Sequence, residues 1–144
     1  MATTPIPTTT RPPEKYVVLY DGLCRFCTTQ SKRLLSLARP GAVEAVDFQS
    51  PGALDRFPGL THEACMQAMC LITPKGRIYR GFEAAVRAVA TRRLLKYIAY
   101  LYYLPGIRQL LDLIYRIIAA NRYRIMGRTD EACEGGTCSL HFRR

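Results

Sequence analysis

The stretch YVVLYDGLCRFC, Tyr16–Cys27, leaves a chain few ways to fold. Tyr16–Tyr20 is a continuous run of β-branched and aromatic residues, the composition of a buried strand. Asp21-Gly22 then turns the chain. From Arg25 to about Ala38 the pattern is helical: Phe26, Leu34, Leu37 and Ala38 share a face, and Arg25, Lys32 and Arg33 lie elsewhere. Arg39-Pro40-Gly41 is the stop signal. A buried strand feeding a helix through a tight turn commits the segment to a layered arrangement with a sheet inside.

The later segments extend that arrangement. Ala42–Phe48 alternates as a second strand, and a loop follows with a short helical turn. Thr61 caps another turn, THEACM, with Glu63 just inside it. Gln67–Thr73 reads as a third strand without alternation, so it is expected to be covered on both faces. Pro74-Lys75-Gly76 turns the chain, and Arg77–Arg80 returns as a fourth strand, completing a hairpin. After Gly81 the pattern is helical almost to Met126, punctuated at Pro105-Gly106. In the last helix Leu110, Ile114, Ile117 and Ile118 line one face with Asp112 and Arg116 opposite, which predicts a core-facing stripe. The order suits an α/β domain with a right-handed crossover between its first two strands. It also suits a thioredoxin-like core (strand-helix-strand, then β-hairpin and helix) with a C-terminal helical extension.

The 144 residues suit one domain, and with roughly half of them apolar a core needs no disulfide staples. The expected division is a disordered tail over 1–14, a folded domain over 15–128 with its helical extension from about 92, and a flexible cysteine-containing tail over 129–144. The N-terminal residues are rich in Pro and Thr and have no apolar core of a signal peptide. Six cysteines are too few for a secreted disulfide scaffold. Together these point to a reducing compartment and a cytoplasmic protein.

Cys24 falls at the turn and Cys27 about one helical turn later. A helix start carries unpaired N–H groups and partial positive charge, which stabilise a thiolate and lower the pKa of the first cysteine. Arg25 adds a neighbouring cation. Asp21 opposes a second negative charge if it is ionised and close. It is read either as a proton acceptor during exchange or as the capping carboxylate of an Asp-Gly turn. Disulfide exchange needs two sulfurs within reach: one attacks, and the other releases the product from the mixed disulfide. On this reading Cys24 attacks, Cys27 resolves, and Phe26 packs locally or offers an apolar contact to a partner.

The signature YDGLCRFC, joined to GRIYRGFEAAVRAV and LPGIRQLLDLIYRIIAANRYRIMGR downstream, resembles the DCC family of thiol-disulfide oxidoreductases. The likeness runs from about Tyr16 to Arg128. The family is named for an Asp and two Cys, here Asp21, Cys24 and Cys27. The resemblance implies a thioredoxin-like fold and dithiol redox chemistry on a protein or small-molecule thiol or disulfide. One departure from thioredoxins proper stands out. No proline precedes the third strand where those enzymes carry a cis-proline; Thr73-Pro74 comes after it.

Four other cysteines remain. Cys70 lies in a buried-looking run and reads as an inert core thiol. Cys65 stands nearer a surface. Cys133 and Cys138 bracket two glycines in CEGGTC. They admit three readings: a second redox pair serving Cys24 and Cys27, two ligands completing a four-thiolate zinc or iron–sulfur site with them, or thiols of an inert tail. The metal site makes the rival function a binding module, and a redox-inactive thioredoxin-like adaptor is a third. His62 and His141 read as surface residues rather than extra ligands. No glycine-rich nucleotide motif is present, and no organic cofactor is implied.

The formal charge is +10, and from Arg77 onward thirteen Lys/Arg stand against five Asp/Glu. Such a balance fits nucleic acid, an anionic membrane surface or acidic proteins. In YIAYLYYL the tyrosines raise base stacking, but Tyr97, Leu101 and Leu104 recur at helical spacing as core residues do. Nucleic acid is therefore disfavoured, and peripheral contact with an anionic membrane is kept as an alternative. Asn121–Arg128, NRYRIMGR, is expected to fold back on the domain, its arginines pairing acidic groups or carbonyls.

Overall fold

The computed structural model of the chain describes residues 8–128. Tyr16–Tyr20 forms strand β1, Arg25–Leu37 helix α1 and Val43–Asp47 strand β2. A 3-10 turn, Leu54–Arg56, and helix α2, His62–Gln67, lead to the hairpin of β3, Cys70–Ile72, and β4, Ile78–Arg80. Helices α3, Phe82–Val89, α4, Leu95–Leu101, and α5, Ile107–Met126, follow. The sheet order is β2-β1-β3-β4. β1 pairs β2 in parallel, as a crossover through α1 requires, and the other pairings are antiparallel. This is a thioredoxin-like α/β fold carrying a C-terminal helical extension.

The strands without alternation are buried on both faces. Val17, Leu19, Cys70 and Ile72 pack under the sheet with Phe48, Phe57 and Ile78. Val18 and Leu71 point the other way, against Leu34 of α1 and Ala84 and Ala88 of α3. Each such apolar side chain contributes about 1.5–3 kcal/mol on leaving water. A third, smaller cluster of Val86, Ala99 and Tyr102 anchors the start of the extension to α3.

Three expectations need correction. Thr8 and Thr9 fall in the segment read as a disordered tail, yet Thr8 bridges Arg77 and the buried Thr9 donates its N–H to the Gly76 carbonyl at 2.8 Å. Tyr97, Leu101 and Leu104 are exposed, not core. The stripe of α5 is also turned outward: Leu110 is 57% exposed, and Ile114 and Ile117 are exposed with it. Only Ile118 of that set is half-buried. The reason is the other side of α5. Tyr115, Arg122 and Tyr123 answer buried polar groups beneath the helix, and that fixes its rotation.

Candidate active site at the Cys24–Cys27 turn

β1 delivers Asp21 to the end of the sheet, where it is 1% exposed. Its Oδ1 accepts the Leu23 N–H at 3.1 Å, closing the turn, and the Gln49 side-chain amide at 3.1 Å. Its Oδ2 accepts the Tyr123 hydroxyl and lies 3.6 Å from the Arg122 guanidinium. The carboxylate caps the turn, as the second of its two readings expects, and stands in a polar network with Gln49, Tyr123 and Arg122.

Gly22 is set by the neighbouring strand. Its N–H donates to Asp47 Oδ1 at 2.9 Å, which also holds the Gln49 N–H at 2.9 Å. A Cβ at Gly22 would overlap that carboxylate. Gly22→Ala is expected to displace Asp47 and cost about 1.5–3 kcal/mol in denaturant unfolding. An unchanged midpoint would show that Asp47 yields freely.

Cys24 is the N-cap of α1, with extended backbone, and its Sγ accepts the Cys27 N–H at 3.1 Å. A sulfur thus fills the place an oxygen takes in an ordinary cap. The Cys27 thiol also donates to it. These bonds, aided by the charge of Arg122, bring the Cys24 pKa down to about 7, against burial and the charge of Asp21. Donating that hydrogen bond to Cys24, together with its own burial, pushes the Cys27 thiol far up. Near neutral pH Cys24 is divided between thiol and thiolate, while Cys27 stays a thiol.

The cation is not the sequence neighbour. Arg25 is exposed at the surface of α1, whereas Arg122, from α5, is 6% exposed beside the pair. Arg122 donates to the Met66 carbonyl at 2.6 Å and its guanidinium lies 4.9 Å from the centre of the Tyr123 ring. Burial works against its charge, but Cys27, Tyr123 and Asp21 outweigh that and hold the proton more tightly. The fold-back expected for NRYRIMGR is therefore what supplies the charge. Tyr123, Gln49 and Tyr115 are site residues that spacing around Cys24 does not signal.

Access differs between the sulfurs. Gly127 takes φ +75°, which favours glycine, and ends α5 so that the chain runs back across α1. Its carbonyl accepts the Arg25 N–H at 3.3 Å, and Arg128 bridges Cys24. Cys24 is fully buried. Cys27 is half-buried and opens on a cavity of about 360 Å³ between α1, α3 and α5. Phe26, Leu34, Phe82 and Ile118 make its walls apolar, and Arg122 supplies a cation.

The main chain before β3 is already engaged. The Met69 N–H donates to Tyr115 Oη at 2.9 Å, and its carbonyl accepts the Gly81 N–H at 2.9 Å. The apolar cavity is the open space beside Cys27.

Contrary to the expectation from its sequence position, Cys65 is not near a surface: it is buried and meets Cys70 in the core beneath the sheet. A hydrogen bond from Cys70 lowers Cys65, and the same bond raises Cys70. His62 is exposed and meets Gln49 Oε1 at 3.1 Å, so it joins the Asp21 network through that amide. Among the described residues no cluster of three or more His, Cys, Asp or Glu side chains stands ready for a metal ion. Cys133, Cys138 and His141 lie outside the described residues, as do the readings that depend on them.

The DCC1-like thiol-disulfide oxidoreductase model matches residues 18–128. No curated protein and no solved structure matches the chain. The matched span holds the sheet, the Cys24–Cys27 turn and the α5 residues that close over it. The chain belongs to the DCC1-like thiol-disulfide oxidoreductase family.

Proposed function

We propose that the chain exchanges dithiol for disulfide through Cys24 and Cys27, on a protein or small-molecule thiol that enters the apolar cavity. The observation that carries this reading is the N-cap thiol of Cys24 bonded by the Cys27 N–H, with Arg122 beside it.

The sequence reading gives attack to Cys24 and resolution to Cys27. Burial of Cys24 beneath Gly127–Arg128, and the opening of Cys27 on the cavity, support the opposite division. A substrate thiolate attacks Cys27 Sγ of the oxidised pair. The Cys24–Cys27 bond breaks, and its electron pair leaves on Cys24, the better leaving group because its pKa is lower. A second substrate thiolate attacks the substrate sulfur of the mixed disulfide and releases Cys27, which takes a proton. Substrate leaves as a disulfide, and the protein is left as the dithiol. A disulfide partner regenerates the pair by the reverse exchange.

Trapping tests both the function and the roles. With a peptide disulfide carrying an aromatic neighbour, whose second sulfur leaves as a thiol, Cys24→Ser is expected to accumulate the mixed disulfide on Cys27, read by peptide mass spectrometry. Accumulation on Cys24 in Cys27→Ser restores the first division and requires Gly127–Arg128 to lift. If neither variant traps substrate, and the wild-type pair does not titrate as a two-electron couple against glutathione, the function fails. Loss of that titration only until a chelator is added would favour the metal-binding alternative.

A further inference from the structure

Helices α4 and α5 present an apolar surface that the domain does not cover. Tyr97 is 74% and Leu101 54% exposed, one helical turn apart on α4. Leu94, 78% exposed, extends the row at its start. On α5, Ile107, Leu110 and Ile117 continue at helical spacing, all exposed. Scattered apolar residues on a surface need no explanation, but continuous rows on two successive helices mark an interaction surface.

Charge indicates what covers it. Residues 92–128 hold eight Lys/Arg and one acidic residue, Asp112. That carboxylate is engaged by the Tyr102 hydroxyl at 2.8 Å. Arg92, Arg93 and Lys96 are exposed at the start of α4, and Arg124 and Arg128 at the end of α5. A second copy of the chain would bring the same cations to the same place and be repelled. A surface with negative head groups over apolar tails answers both features, and exposed tyrosines suit its boundary.

We infer that the exposed faces of α4 and α5 dock on an anionic lipid bilayer, lying in its interface without crossing it. Among the described residues no helix is long and apolar enough to cross a membrane, which fits this mode. The face also runs into the cavity at Cys27: Ile114 is exposed and lines that cavity. Docking does not rest on the thiol chemistry, so Cys24→Ser binds as the wild type does.

Flotation with phosphatidylcholine vesicles, with and without phosphatidylserine, tests the inference. The full chain is expected to float with the phosphatidylserine vesicles and to release as salt rises. Tyr97→Glu/Leu101→Glu, both exposed, is expected to weaken binding at least about tenfold with circular dichroism unchanged. Arg92→Ala/Arg93→Ala/Lys96→Ala is expected to weaken it through charge alone, which keeps the test open if the first variant misfolds. The inference is overturned if wild type ignores both vesicle types, or if the folded variants float undiminished. It is also overturned if ultracentrifugation shows a dimer that Tyr97→Glu/Leu101→Glu dissolves, because the face then belongs to a second copy.

Discussion

Arg122→Leu is expected to destabilise the folded chain by about 3–5 kcal/mol, a fall in Tm of roughly 12–20 °C. The side chain holds no solvent-facing position. It answers the Asp21 carboxylate at 3.6 Å and the Met66 carbonyl at 2.6 Å, and both lose their partner together. Asp21, 1% exposed, then keeps a charge with only neutral donors around it. Adding Asp21→Asn removes that charge, so the double variant is expected to recover part of the loss. Such non-additivity is the signature of a coupled pair. The same substitution raises the Cys24 pKa above 7, because the guanidinium favours the thiolate. Denaturant unfolding and thiol alkylation against pH check the two effects. A midpoint within 1 °C of wild type would show that α5 docks without this pair.

The second large effect lies in the reduction potential. In the reduced pair Cys24 loses its proton at about 7, and Cys27 keeps its own far above that. Below pH 7 reduction takes up two protons with two electrons, and the potential falls by about 59 mV per pH unit. Above pH 7 it takes up one, and the slope halves to about 30 mV. A break near pH 7 in a glutathione titration is the expected result; an unbroken line to pH 9 would place the thiolate elsewhere. Folding stability of the dithiol form depends on the same Cys24 proton. Between about 7 and the ordinary thiol range the unfolded chain still holds the Cys24 proton that the folded chain has released. The unfolded state binds more protons there, so stability rises with pH across that window and is lost as pH falls through 7.

The Cys24–Cys27 turn is legible because its signal is local. A buried strand run, Asp-Gly and a helix opening at Arg25 are neighbours in sequence, and their geometry follows from backbone rules. The crossover between β1 and β2 and the hairpin of β3 and β4 follow in the same way from neighbouring strands, turns and one intervening helix. Partners remote in sequence are not legible. Arg25 is the cation that spacing offers, and Arg122 is the one the fold supplies, because only tertiary packing brings α5 beside α1. NRYRIMGR signals a return to the domain, but not that Tyr123 reaches Asp21. The rotation of α5 fails for a related reason. Periodicity finds an apolar stripe at Leu110, Ile114 and Ile117 and is silent on what faces it. Buried polar groups under the helix claimed the opposite side. Thr9 shows that a Pro/Thr-rich composition does not exclude a backbone pairing when a turn offers a free carbonyl.

The bond between Tyr123 and Asp21 spans 102 residues. Contacts so distant in sequence form late, because a long loop must close before they return any stability. On a ribosome adding about 5–20 residues per second, Cys24 and Cys27 emerge several seconds before Arg122 exists to face them. Through that interval the two thiols keep ordinary acidity and behave as any unfolded cysteines do. The share of the Cys24 acidity that Arg122 supplies therefore arrives only with α5, after both thiols have left the ribosome.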